Sequence, residues 1–133
     1  MAGTNTDYTE NEAVDHILGT GAWTMPAAVS LGLFTVNPNF ETGAGGTEAT
    51  GGSYARKAIA FTAASGGATS STAQKQWTVG TDIAAGTYTG WGVFDAASAG
   101  NMLFGDTFGS SKVLTSTGDT LTFAAGAVTY SLT

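Results

Sequence analysis

Gly90-Trp91-Gly92-Val93-Phe94-Asp95-Ala96-Ala97-Ser98-Ala99-Gly100-Asn101-Met102-Leu103-Phe104 decides how this chain reads. An apolar run enters a turn of small residues, and a second apolar run leaves it. Side chains alternate faces along a strand, so Trp91 and Val93 point one way and Phe94 the other. Gly90 and Gly92 strip side chains from the face opposite Trp91, which predicts a bulge or the close approach of another backbone. Asp95 is placed to accept backbone amides of the turn, and Gly100-Asn101 to supply positive φ. The stretch reads as a β-hairpin with arms at 87–94 and 101–108.

Working outward, other segments repeat the pattern. Residues 29–36 alternate with Val29, Leu31 and Leu33 on one face, and Asn37-Pro38-Asn39 ends the run because Pro38 cannot donate to a ladder. Residues 41–53 form a long glycine-rich loop of the sort that is functional, disordered or clamped by a neighbour. Strands follow at 54–62, with Ile59 and Phe61 inward, and at 76–79. Short segments at 112–114, 121–123 and 128–132 complete the set. Asp82, Asp95, Asp106 and Asp119 each fall at or near a turn. No βαβ alternation occurs. The fold expected is all-β, a single-domain antiparallel sandwich or jelly roll of about seven to eight strands.

One short helix precedes it. Residues 1–8 read as a loose arm. Thr9-Glu10-Asn11-Glu12 fits a capping box with Thr9 as N-cap, opening a helix over 9–18. Ala13, Val14, Ile17 and Leu18 recur at helical spacing, and Gly19 and Gly21 stop the helix. A helix this short needs something larger to pack on. The β-sandwich is expected to occupy residues 29–133.

Composition narrows the function classes. The 133 residues imply one domain. Charged residues make up 11 % and the formal net charge is −6, with Arg56, Lys57, Lys75 and Lys112 the only lysines and arginines. Four dispersed cations cannot neutralise a run of phosphates, so no nucleic-acid partner and no anionic membrane surface are expected. There is no cysteine, which excludes disulfides and thiolate metal sites. No apolar run reaches the length of a membrane span, and the N-terminus lacks a secretory signal, so synthesis in the cytoplasm as a soluble chain is expected.

Reactive constellations are sparse. His16 is the one histidine; Asp15 beside it on a helix points elsewhere and cannot orient the ring, and no Gly-x-Ser-x-Gly elbow exists. Asp95 and Asp106 would form an acid–base pair only if the hairpin brought them together. Asp95, Ser98, Asn101 and Asp106 offer oxygen ligands without a calcium-loop spacing. The glycine runs at 43–46 and 51–52 lack the Gly-Lys-Ser/Thr of a phosphate loop. No catalytic residue, metal or cofactor is therefore expected. Trp23, Trp77, Trp91, Tyr54, Tyr88 and Tyr130 allow a sugar-binding platform, although strand positions favour the core for Trp77 and Trp91. Trp23, in a loop, is the candidate contact residue. Arg56 shares a strand face with Tyr54, and pairs either with Glu48 or across an interface; the internal salt bridge is preferred. Trp23, Glu48, Tyr54 and Arg56 are the candidate interface residues.

Several segments in order carry a resemblance: Leu31-Gly32-Leu33-Phe34-Thr35 with Pro38; Glu48 through Gly51-Gly52-Ser53-Tyr54-Ala55-Arg56; Gly92-Val93-Phe94-Asp95-Ala96; Gly118-Asp119; and Phe123-Ala124-Ala125-Gly126. Together they resemble a family of small tailed-bacteriophage virion proteins, of head-decoration (cement) or tail-fibre type. The chain departs from that family in carrying Ala99-Gly100-Asn101 where paired glycines often follow the Asp-Ala turn. The resemblance implies an all-β, non-enzymatic virion component that works as an oligomer. The size, with no shaft or coiled coil, favours a capsid decoration or cement protein bound to the major capsid protein as a homotrimer or homodimer. Contact would be made by residues 1–20 or the 41–53 loop. A tail-fibre or tail accessory protein bound to tail proteins is the alternative, and a carbohydrate-binding β-sandwich the second.

Overall fold

A computed structural model describes residues 1–132. Its elements, in chain order, are β1 (Thr4–Asn5), α1 (Asp7–Leu18), β2 (Val29–Val36), β3 (Thr47–Glu48), β4 (Lys57–Ile59), β5 (Ala68–Ser70), β6 (Lys75–Thr78), β7 (Gly86–Phe94), β8 (Met102–Leu114), β9 (Thr120–Phe123) and β10 (Thr129–Ser131). The ordering β1-β8-β7-β2-β3, with β4 also paired to β2, makes one six-stranded sheet. Two antiparallel ribbons, β5–β10 and β6–β9, complete the set. Every pairing between these strands is antiparallel.

The alternation in β2 and β7 splits the sheet into two faces. Leu31, Leu33, Trp91 and Val93 lie fully buried on the inner face, in one core with Trp77, Val79, Leu121, Phe123 and Val128 from the ribbons and their flanks. Trp91 meets Phe104 and Phe123 edge-on at 5.9 and 6.2 Å between centroids, a favourable arrangement for aromatic quadrupoles. On the outer face Phe34, Phe94 and Met102 form a second cluster under Phe40.

That outer cluster explains the glycines beside Trp91. A β-carbon on Gly92 would sit 2.7 Å from Met102 Sδ, and one on Gly105 would sit 2.5 Å from Trp91 O. Gly92 and Gly105 face each other across β7 and β8, so the two backbones approach where no side chain intervenes. Over this bare strip folds the 37–46 segment. Asn39 Oδ1 accepts Glu41 N–H and Thr42 N–H, and Glu41 O accepts Asp7 N–H. These bonds brace the loop internally and tie it to the start of α1, while Phe40 lies against Gly90 and Gly105 of the sheet.

The hairpin is present and longer than its sequence indicates. Residues 112–114 are the end of β8, paired with Gly86–Tyr88, and no separate edge segment. A wide bulge lies between Thr107 and Lys112, where β8 carries extra residues opposite Thr89 and Phe108 turns into the core. At the tip, Asn101 donates its backbone and side-chain N–H groups to Asp95 at 2.7 and 3.0 Å. Positive φ falls on Ala99 and Gly100, and so one residue earlier than the expected Gly100-Asn101. Residues 54–62 give only the three-residue β4, with Phe61 in an isolated bridge to Ser71.

The N-terminus differs most. Residues 1–8 are pinned: β1 pairs with Gly105 and Phe104, Ala2 bridges Thr129, and the Met1 amine donates to Ala127 O. The helix begins at Asp7, two residues before the expected start, and its cap moves from Thr9 by three. Its N-cap is Thr6, whose hydroxyl accepts Thr9 N–H and donates to Met102 O at 2.7 Å, while Thr9 Oγ1 donates to Leu103 O. Both threonines fit a capping position locally; the bulged carbonyls of β8 select Thr6. Gly19, at φ 74°, closes the helix as expected.

Candidate functional site

The candidate interface residues separate into two places. Glu48, Tyr54 and Arg56 meet on the outer face. Arg56 Nε and Nη2 each donate to one Glu48 carboxylate oxygen at 2.8 Å, a bidentate fork. Nη1 donates to Ala96 O and Ala99 O, at 3.0 and 2.7 Å. The guanidinium carbon lies 3.5 Å from the centre of the Phe94 ring. Tyr54 donates to Glu48 Oε1 and accepts Leu33 N–H. Burial is the main reason its phenol is held far above the ordinary range, and the Glu48 charge adds to it. The Arg56 side chain is 7 % exposed. The three residues form an internal clamp, which ties the hairpin tip at Ala96 and Ala99 to the β2–β3 edge and leaves residues 97–100 exposed.

Trp23 lies elsewhere, beside α1. Its N–H donates to His16 Nδ1 at 3.2 Å, and its ring meets Tyr8 edge-on. That places the histidine as a helix-surface group that fixes the following loop. Trp23 also walls an apolar cleft of about 260 Å³ with Val29, Phe61, Leu103 and Tyr130 among its lining. Thr9 and Thr69 are the polar side chains there besides the Tyr130 phenol and the Trp23 indole, too few for sugar recognition. Trp77, Trp91 and Tyr88 are buried, so they present no platform.

The helix face carries a feature the spacing misjudged. Thr9 and Ala13 are its buried residues, while Val14, Ile17 and Leu18 project outward at 53, 73 and 70 % exposure. Met25, just beyond, is 86 % exposed. The apolar periodicity marked α1 correctly but did not say which stripe docks. The Thr9 hydroxyl, bonded to β8, turns the threonine side inward.

Other sequence candidates stay apart. Asp106 pairs with Trp91, four positions along β8 from Met102 at the tip, roughly 13 Å of strand, whereas Asp95 is engaged by Asn101. Among the described residues no cluster of three or more His, Asp or Glu could hold a metal ion. Asp82 accepts Thr78 N–H, and Asp119 accepts Thr115 and Ser116 N–H. Those amides hold the Asp119 carboxyl below its usual range. No helix among the described residues is long and apolar enough to cross a membrane.

No curated protein matches the chain. A family model described as podophage GP4 fiber I protein gp80 matches residues 4–131, from β1 through β10. By that match, spanning the sheet, both ribbons and α1, the chain belongs to the podophage GP4 fiber I protein gp80 family.

Proposed function

We infer that this chain is a structural component of a phage fibre, carried on the tail and assembled from several copies. The family match over residues 4–131 carries the reading. The capsid-cement reading rests on chain size, whereas the family's description names a fibre, so the tail takes precedence. Three features support a scaffold role without catalysis. His16 is held by a backbone amide, Asp95 is spent on its own turn, and the bidentate Arg56–Glu48 ion pair ties one part of the chain to another. Two exposed features are available for contact: the hairpin tip held by Arg56, and the side of α1 with Val14, Ile17 and Leu18. Many copies on one symmetric particle convert modest contacts into firm attachment.

Electron cryomicroscopy of purified particles labelled through a tag on this chain tests the location. Label confined to fibres at the tail is the expected result. Label spread over the shell would restore the capsid reading and reject this one.

A further inference from the structure

The four cations are unevenly used. Arg56 is engaged by Glu48, and Lys57 lies 3.7 Å from Asp82. Lys75 and Lys112 are in no ion pair among the described residues; the Lys112 ammonium stands 5.7 Å from the centre of the Phe108 ring. Lys112 borders a groove of about 380 Å³ in which Phe108, Leu114, Leu121 and the exposed Val113 share the lining about equally with Met1 and serine and threonine groups. No acidic side chain among the described residues lines this groove.

The exposed side of α1 has the complementary character. Glu10, Val14, Ile17 and Leu18 share one stripe by their spacing of three and four. The helix carries Asp7, Glu10, Glu12 and Asp15 and no lysine or arginine. The two surfaces also lie toward opposite ends of one strand. The start of α1 is bonded to Met102 and Leu103 at the beginning of β8, and the groove lies at Phe108–Leu114. Measured against β7, the stretch from Phe104 to Leu114 runs from Val93 to Gly86, about 23 Å.

The geometry points to a head-to-tail contact between copies of this chain: the acidic, apolar stripe of α1 seats in the Lys112 groove of the next copy, with Glu10 toward Lys112 and Ile17 and Leu18 toward Val113 and Leu121. Pairing α1 with its own copy would set acid against acid, which disfavours a symmetric contact. A contact between two different patches is heterologous and repeats, closing into a ring or extending as a filament. The inference deepens the fibre reading and rests on it for its biological setting, while the contact itself is testable on the purified chain.

The chain has no cysteine, so single thiols introduced by Leu18→Cys and Val113→Cys are unambiguous. Under mild oxidation, a cross-linked dimer is expected when the two variants are mixed and not from either alone. Lys112→Glu is expected to weaken self-association about fivefold in sedimentation, and Glu10→Lys added to it to restore association, as for a rim ion pair. Cross-linking of Leu18→Cys with itself would overturn the proposal in favour of a symmetric pair. No cross-link in the mixture although the chain self-associates would also overturn it, as would a purified chain that stays monomeric and gains protection of α1 only from another virion protein. Shell-wide label on particles with the mixed cross-link intact would reject the tail assignment and leave the contact standing.

Discussion

The outer face of the sheet and the outer side of α1 are built on opposite terms. On the sheet, bare glycine backbone is covered by Phe40, Phe94 and Met102, and Arg56 spends its donors within the chain. On α1, Val14, Ile17 and Leu18 stay in water although they recur as a core stripe would. The first region satisfies itself and contributes stability. The second gains little by folding, and the proposed contact between copies is what would cover it. Single surface apolar residues need no explanation; three on one stripe, with Met25 also open, call for one.

The sharpest way to break the closed face is to put a side chain on Gly105. Its β-carbon would meet Trp91 O at 2.5 Å and Gly92 Cα at 3.0 Å, and backbone cannot step aside. Gly105→Val is expected to destabilise by about 3 kcal/mol or more, read by urea unfolding. Arg56→Ala comes next. It strands the Glu48 carboxylate, which is 28 % exposed, and frees the hairpin tip. Solvent reaching Glu48 reduces the loss below that of a fully buried pair, to about 2 kcal/mol.

The same clamp responds to pH. The Tyr54 phenol is raised in the folded state, chiefly by burial, so the unfolded chain ionises first. Its contribution is whole below pH about 10, the unfolded value, and is lost as pH rises beyond it. Thermal melts between pH 8 and 11 are expected to show falling stability above pH about 10, with a shallower fall in Tyr54→Phe. An unchanged profile in that variant would remove Tyr54 from the account.

Thr6→Ala, which removes the cap of α1 and a bond to Met102 O, is expected to cost about 1 kcal/mol. Smallest of all is Ile17→Ser on the open side, within about 0.5 kcal/mol for the isolated chain. Its effect belongs to association, seen by sedimentation. A large loss of monomer stability there would erase the contrast between the two regions.

Local pattern exposed part of this design. The Val29, Leu31, Leu33 alternation marks β2 to the residue, and Gly90 and Gly92 foretell the close backbone approach because only a missing side chain permits it. The Arg56–Glu48 pair was legible because cations are so few. What escaped depends on distant partners. β1 and β5 are two or three residues long and show no period; β8 and β10 define them. The start of α1 turned on β8 carbonyls some hundred residues away. Which side of α1 is buried was not legible for the same reason: hydroxyl bonds to Leu103, not the apolar spacing, decide it.

Hydroxyl-radical footprinting of the free chain against the assembled particle compares the two regions in one measurement. The account predicts that Ile17, Leu18 and Met25 react readily in the free chain and are protected in the particle, while Tyr54 and Phe94 react weakly in both. Equal reactivity of the α1 side chains in both states would contradict it.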